Sequence, residues 1–76
     1  MHMPFIEVKT IENVFTHEQK QEIIKKITDI FVSYMGENLR QHTMVVMTDI
    51  KEGEWGIGGQ GVTSQMVHSM EKAIPA

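Results

Sequence analysis

The residue of this sequence best suited to acid–base chemistry is Pro4, which directly follows Met3. If Met3 is the first translated residue and is removed, Pro4 becomes the amino terminus and carries a secondary amine. The pKa of an ordinary α-amino group is roughly 7.7–8.0, and an apolar surrounding lowers it because it disfavours the charged form. Such an amine can serve as a base near neutral pH. As written, the chain has Met1-His2-Met3 before Pro4, so the nitrogen is a tertiary amide and we expect no base activity from it.

The three residues before Pro4 are interpreted as a prefix, and residues 4–76 as a single domain. The prefix is either a remnant of a cloning site, which we favour, or a natural upstream start. A chain of 76 residues forms one small core, which buries only about 60% of the surface of the unfolded chain. There is no cysteine for a disulfide or a thiolate metal site. We therefore expect association between copies to supply stability.

Charge and hydropathy exclude several classes of partner. The net charge is −3 with histidine neutral, and the basic residues are scattered, whereas phosphate binding needs them clustered. No nucleic-acid partner is therefore expected. No apolar run approaches the ~18 residues of a membrane span, and the amino terminus lacks the charged and apolar regions of a secretory signal. The sequence thus predicts a cytoplasmic protein without a membrane partner.

Two patterns that could hold a ligand are discounted. No pair of histidines has metal-ligand spacing, so no metal site is predicted; the histidines are His2, His17, His42 and His68. Gly56-x-Gly58-x-x-Gly61 spells the dinucleotide-binding fingerprint. That fingerprint requires a further strand and an acidic residue about twenty positions on, which this sequence does not provide.

The elements that must position Pro4 begin with a strand and a long helix. Residues 5–11 alternate in polarity, as a strand does; one face carries Ile6, Val8 and Thr10. Thr16 and Gln19 have the spacing of a capping box, in which each side chain bonds a free backbone amide at a helix start. A helix should therefore begin at about His17.

The helix should end near Met35, because Gly36 follows and can take the left-handed conformation that closes a helix. Its apolar stripe is predicted to comprise Ile23, Ile24, Ile27, Ile30, Phe31, Tyr34 and Met35. After a polar connection, residues 43–47 are continuously apolar, as expected for a strand covered on both faces. Strand, helix and strand form a βαβ unit, whose two strands should be parallel neighbours joined by a right-handed crossover.

The carboxyl-terminal part is predicted to contain a small hairpin and a short helix. Four glycines within residues 56–61 indicate turns with positive φ angles, as in a loop or hairpin. Thr63-Ser64 can cap a second helix, which should end before Pro75; its apolar face would carry Met66, Val67, Met70, Ala73 and Ile74. The fold class is therefore α+β, a small β-α-β fold with a short carboxyl-terminal hairpin and helix.

Three blocks of this sequence, in order and at matching spacing, resemble the 4-oxalocrotonate tautomerase family. They are Met3-Pro4-Phe5-Ile6-Glu7-Val8-Lys9, Glu18-Gln19-Lys20 at the start of the long helix, and Trp55-Gly56-Ile57-Gly58-Gly59 after the second strand. The resemblance extends from Met3 to about Gly59. It implies a tautomerase fold in which protomers pair through their sheets. A homohexamer is the first expectation. A homodimer is the second, because the stretch from Val62 onward is similar to that of longer, dimeric relatives.

The resemblance also implies an activity and a site. The activity is that of a cofactor-independent isomerase in which Pro4 takes a proton from a 2-hydroxydienoate or another enol carboxylate and returns it elsewhere, giving the keto acid. Trp55 matches the family's aromatic wall, which enters a neighbouring subunit's pocket. Backbone amides near Ile11 would contact the substrate's carboxylate end.

This sequence departs from the family at the substrate-binding arginines. The first of these falls near Val14 or Phe15, and the second at Met44, none of which binds an anion. Arg40 is the only arginine, and it is the candidate replacement if the loop before the second strand runs differently. A dicarboxylate substrate is therefore disfavoured, and a monocarboxylate or aromatic enol is preferred. The alternative is a non-catalytic oligomeric binding or scaffold protein with the same fold.

Overall fold

The computed structural model describes residues 3–73. Its elements are β1 (Phe5–Ile11), α1 (His17–Met35), a 3-10 helix (Glu37–His42), β2 (Met44–Ile50), β3 (Trp55–Ile57), β4 (Gln60–Val62) and α2 (Ser64–Ala73). The predicted small α+β fold, with a β-α-β unit followed by a hairpin and a helix, is confirmed. The predictions for Met1-His2, Ile74 and Pro75 concern positions outside the described residues.

The chain divides into two compact units. The described part of the first comprises residues 3–8 and 16–48, and that of the second comprises residues 9–15 and 49–73. Each of the two long strands therefore contributes to both units. The helix α1 and the 3-10 helix belong to the first unit, and the hairpin and α2 belong to the second.

The strands β1 and β2 form a two-stranded sheet. At their starts the Met44 N–H donates to the Pro4 carbonyl at 3.0 Å, and at their ends the Glu12 N–H donates to the Ile50 carbonyl at 2.8 Å. Because both residue numbers increase along the pairing, the strands are parallel, as predicted. A parallel pair needs a long crossover connection, and α1 supplies it.

The start of α1 has the predicted capping box. The Gln19 N–H donates to Thr16 Oγ1 at 3.1 Å, and the Thr16 N–H donates to Gln19 Oε1 at 2.9 Å. The helix begins at His17 and ends at Met35, as the sequence predicts. Gly36 then donates its N–H to the Val32 carbonyl, with φ 96° and ψ 158°. Its φ is positive, but its ψ lies well outside the left-handed helical region that we predicted.

The apolar stripe of α1 differs from the prediction near its end. Ile30, Tyr34 and Met35 are exposed, Tyr34 to 87%, whereas Val32 is buried. The rest of the predicted stripe is partly buried, as is Thr28, which lies four residues before Val32; these stripe residues are Ile23, Ile24, Ile27 and Phe31. The polar Thr28 is tolerated there because its hydroxyl donates to the Ile24 carbonyl at 2.8 Å.

The connection and the second strand also differ in extent. The predicted polar connection, residues 37–42, forms a 3-10 helix, and the Thr43 hydroxyl donates to the Leu39 carbonyl at 2.8 Å at its end. The strand β2 runs to Ile50, three residues beyond the predicted end. Met44 and Val46 are exposed within one chain, so the predicted coverage of both faces is not provided by this chain alone.

The hairpin of the second unit is tight. Trp55 pairs with Val62 and Ile57 with Gln60, which leaves Gly58 and Gly59 as a two-residue turn. Their φ angles are 59° and 84°, and positive φ at both central positions is characteristic of the type I′ turn favoured between twisted strands. The glycine-rich segment therefore provides backbone geometry rather than a phosphate loop.

The buried core of one chain is small. The apolar side chains classed as buried are those of Ile11, Val32 and Val62. Large apolar side chains left exposed include Phe5, Ile30, Tyr34, Ile57 and Met70. Among residues 3–73, no helix has both the length and the hydropathy needed to cross a membrane.

The crowded backbone at Gly61 generates a prediction about stability. A Cβ at Gly61 would lie 2.9 Å from the carbonyl carbon of Gly53 and closer still to its oxygen. A Gly61→Ala substitution must therefore push the 53–54 turn away from the hairpin, and we expect it to lower the free energy of unfolding by about 1–3 kcal/mol. Chemical denaturation followed by circular dichroism measures this.

The matched control is Gly56→Ala, at the position that pairs with Gly61 in the same hairpin. A Cβ at Gly56 meets no atom within 4 Å. An equal loss of stability in both variants would contradict the clash at Gly61.

Candidate functional site

The second unit forms a cavity of about 320 Å³ that is open to solvent. Its walls come from the end of β1 and the loop after it, from the hairpin, and from α2. This volume lies at the lower end of the roughly 300–1,000 Å³ typical of small-molecule sites. The cavity can therefore hold a small organic acid or the tail of a larger one.

The first wall follows from the way β1 ends. Ile11 is only 6% exposed, and the Val14 N–H donates to the Ile11 carbonyl at 3.3 Å, which closes a turn. Asn13 has φ 69° within this turn, a conformation that asparagine tolerates better than most residues. The turn places Ile11, Val14 and Phe15 along the cavity. Where the family resemblance places an arginine, the wall is thus apolar.

The second wall is one face of the hairpin. Trp55 and Val62 are direct partners across β3 and β4, and Ile57 lies two residues from Trp55 and so points to the same side. All three side chains line the cavity. The tight glycine turn holds this aromatic and aliphatic surface in a fixed register.

The third wall is a face of α2. Thr63 caps the helix, because its Oγ1 accepts the Met66 N–H at 3.3 Å. Val67, Met70 and Glu71 line the cavity, at the i, i+3, i+4 spacing of one helix face. The sequence pattern predicts Val67 and Met70 on one face of this helix; Glu71 was not predicted there, although its distance of four residues from Val67 indicates the same face.

A carboxylate anchors the start of α2. Glu52 accepts the backbone N–H of Ser64 at one oxygen and the Ser64 hydroxyl, at 2.8 Å, at the other. These bonds, the backbone one first, hold the pKa of Glu52 below its usual range because they favour the charged carboxylate. Ser64 is among the buried residues, so its polar groups depend on this partner.

His68 joins α2 to the loop after β1. Its Nε2 lies 3.2 Å from the Asn13 carbonyl oxygen, and its Nδ1 lies 3.3 Å from Glu71 Oε2. The first contact holds the helix against the turn that carries Val14 and Phe15. The second positions the Glu71 carboxylate at the edge of the cavity.

Pro4 lies in the first unit, at the start of the sheet. It is half-buried, and its carbonyl accepts the Met44 N–H at 3.0 Å. The residue before it, Met3, is 50% exposed. The pairing with β2 therefore fixes the backbone of Pro4 through its carbonyl and leaves its nitrogen outside the ladder.

Arg40, the predicted substrate-binding cation, also lies in the first unit and is paired with two carboxylates. Its Nε lies 2.6 Å from Glu37 and its Nη1 lies 2.8 Å from Asp29. These partners, Glu37 first, raise the pKa of the guanidinium. These two carboxylates already compete for the charge of Arg40, and its role in substrate binding stays a prediction.

Two of the four predicted site residues meet in one place. Ile11 and Trp55 line the same cavity in the second unit. Pro4 and Arg40 belong to the first unit. Among residues 3–73, no group of three histidine, aspartate or glutamate side chains is placed to hold a metal ion.

Comparison with known proteins decides the family. The model of the tautomerase enzyme family matches residues 4–65. The chain belongs to the tautomerase family. The family match begins at Pro4 and ends at the start of α2.

Individual proteins similar to this chain are also named as tautomerases. It is 33% identical over 63 residues to a probable tautomerase from Dickeya dadantii, covering 83% of this chain and 92% of that protein. It is 34% identical over 62 residues to a probable tautomerase from Helicobacter pylori, and the match covers 79% of this chain and 90% of that protein.

Solved structures agree as well. A structure from the characterisation of the 4-oxalocrotonate tautomerase isozymes of Methylibium petroleiphilum has a TM-score of 0.67 and 31% identity, covering 84% of this chain and 97% of that one. DmpI from Helicobacter pylori has a TM-score of 0.66 and 30% identity, covering 78% and 95%. The resemblance to the 4-oxalocrotonate tautomerase family is confirmed, and these relatives support a tautomerase activity, hence an isomerase, in general.

The Glu52 anchor of this tautomerase generates a pH prediction. Because the pKa of Glu52 is lower in the folded chain than in the unfolded chain, its stabilising effect is complete above the unfolded value of about 4.3. The effect is lost as the pH falls through the folded value. A Glu52→Gln variant should therefore unfold more easily than the wild type at pH 7, by a margin that shrinks below about pH 4.3.

Denaturation at a series of pH values measures the difference in unfolding free energy between the wild type and Glu52→Gln. Faster hydrogen exchange of the amides of residues 64–70 in the variant would show that the loss lies at the start of α2. The matched control is Glu54→Gln, because Glu54 is exposed and lies two positions away. If the loss of stability in Glu52→Gln did not change with pH, or if Glu54→Gln lost as much, Glu52 would not be the carboxylate that anchors α2.

Proposed function

We propose that the protein is a cofactor-independent tautomerase that interconverts the enol and keto forms of a small acid, with Pro4 as general base. The observation that carries this proposal is that the family match begins at Pro4. A proline at that position provides a secondary amine once the residues before it are removed. Pro4 is half-buried, and partial burial favours the neutral, basic form of an amine.

The proposed reaction is a proton transfer within one conjugated acid. The Pro4 nitrogen takes the proton from the enol hydroxyl, or from a carbon in the reverse direction. The electron pair moves along the conjugated system, and the resulting ammonium returns the proton to the carbon at its other end. Atoms and charge balance without an oxidant or a metal, so a base, an anion-binding group and an apolar wall suffice.

Ile11 and Trp55 are proposed to form part of the substrate site. Both line the apolar cavity, where the flat face of Trp55 can pack on a planar conjugated acid. The backbone near Ile11 is proposed to bind the carboxylate end. The low polarity of the walls would exclude water from a bound acid and strengthen the polar interactions that the acid makes there.

The site is proposed to be shared between copies of the chain in a homohexamer, with a homodimer as the second choice. Phe5, Met44 and Val46 carry apolar side chains that one chain leaves exposed. The Thr48 hydroxyl donates to Glu7 at 2.8 Å, which places the odd positions of β1 on the same sheet face as the even positions of β2. Phe5, Met44 and Val46 therefore share one apolar face, which supports burial against another subunit.

The first test of the function is the state of Pro4. Protein prepared to begin at Pro4 should convert phenylenolpyruvate to its keto form, because its amine is free. Protein that retains Met1-His2-Met3 should lose this activity, and a protein with Pro4→Ala at its amino terminus should be slower by about 10²–10⁴-fold in kcat. Intact mass establishes each amino terminus, and loss of enol absorbance measures the rate.

Full activity of the Pro4→Ala protein, or of protein with the prefix in place, would exclude Pro4 as the base. No turnover by the protein that begins at Pro4 would instead favour the alternative, an oligomeric binding protein. The apolar wall in place of a substrate-binding arginine is the observation that keeps this alternative open.

Subunit mixing tests whether the site is shared. Pro4→Ala and Trp55→Ala proteins, each begun at residue 4, should be weakly active alone. If Pro4 and Trp55 of one site come from different copies, unfolding and refolding an equal mixture should restore about a quarter of the wild-type activity. Trp55→Phe should be active without mixing, since it keeps an aromatic wall.

A mixture no more active than its two components, with mixed oligomers confirmed by native mass spectrometry, would show that the two residues act within one chain. Oligomers containing neither two nor six copies would contradict both expected assemblies.

A further inference from the structure

The helix α2 gives this cavity a wall outside the part of the chain that the family model matches. The match ends at residue 65, whereas Val67, Met70 and Glu71 line the cavity from the next two turns of α2. Any substrate selectivity that these three side chains confer is therefore not part of the pattern shared by the family.

The composition of the wall defines what the cavity can accept. Of the lining residues, only Glu71 is ionisable, and the others that face it across the cavity include Trp55, Phe15 and Val62. An aromatic ring gains from burial against such a surface and from stacking on the indole of Trp55. A charged group placed there loses hydration and meets no cation among the lining side chains.

Glu71 adds a specific repulsion to this general cost. His68 Nδ1, at 3.3 Å, positions the Glu71 carboxylate at the edge of the cavity. His68 is also tied to the Asn13 carbonyl, so the carboxylate is held beside the loop that supplies Val14 and Phe15. The Glu71 side chain is 59% exposed, so it lies at the rim of the cavity, and a second carboxylate on a ligand would meet a like charge there as it enters.

We propose that the cavity binds the uncharged aromatic tail of an enol monocarboxylate, and that Glu71 on α2 selects against tails carrying a second carboxylate. The proposal rests on the proposed function, because the ligand is the substrate of the Pro4 reaction. It assigns the choice of substrate to the carboxyl-terminal helix.

Binding is tested without catalysis, using the single tryptophan of the chain as the probe. Because Trp55 lines the cavity, an occupant should change its fluorescence. The ligands are trans-cinnamate and its para-carboxy derivative, which share a ring and a carboxylate and differ by the charge on the tail. The full chain should bind cinnamate at millimolar concentration or tighter, and the dianion at least three-fold more weakly.

The role of Glu71 is tested by Glu71→Gln, which keeps the shape of the side chain and removes its charge. This change should strengthen binding of the dianion by about three- to ten-fold and leave cinnamate nearly unchanged. The control is Glu18→Gln, which makes the same change in net charge at an exposed position of the first unit. It should leave the preference for cinnamate as it is.

A second variant tests the apolar wall. Met70→Ala shortens one lining side chain and should weaken cinnamate by a few-fold, with circular dichroism showing that α2 is retained. In activity assays, phenylenolpyruvate should be preferred over its para-carboxy derivative by the same factor in kcat/KM as cinnamate is preferred in binding. Each variant should change this preference by changing KM, with kcat unaltered.

Each outcome decides a different point. Equal binding of the two ligands, or a preference that survives Glu71→Gln, would overturn the role of Glu71. No change in Trp55 fluorescence with either ligand would overturn the cavity as the tail site, even if Pro4 turns over an enol acid. If the protein bound cinnamate in preference to its para-carboxy derivative but turned over no enol acid, the proposed function would be wrong. The inferred class of ligand for the cavity would still hold.

Discussion

The parallel pairing of β1 with β2 is the constraint on which the other elements depend. Two parallel strands cannot be joined by a tight turn, so the chain needs the long helix α1 between them. The same pairing fixes the backbone at Pro4 through the Met44 N–H and, at the other end of the strands, bonds the Glu12 N–H to the Ile50 carbonyl. Pro4 thus directly precedes the strand β1, and the turn that lines the cavity directly follows it.

The second unit forms its cavity with few polar contacts. A type I′ turn holds Trp55 in register with Val62, and the Glu52 carboxylate holds the start of α2 through Ser64. These bonds satisfy polar groups of the hairpin and of the start of α2, next to the cavity rather than inside it. The cavity walls themselves can therefore be apolar. Where the family resemblance implies an arginine, Val14 and Phe15 make the site suitable for an uncharged group.

The small buried core explains why association belongs to the functional argument. A chain that buries Ile11, Val32 and Val62 but leaves Phe5, Met44 and Val46 exposed has apolar surface still to cover. Covering it with a second copy would stabilise the fold.

The sequence by itself determined the βαβ order, the capping box at Thr16, the glycine turn and the cap of α2, because each depends on neighbours within a few positions. The resemblance places the family's first arginine near Val14 or Phe15, and both of these residues line the cavity. Only the tertiary structure decided that Val32 rather than Tyr34 is buried, that Arg40 is held by Glu37 and Asp29, and that Glu71 joins Trp55 at one cavity. These contacts join residues whose approach depends on how helices and strands pack, which local periodicity does not encode.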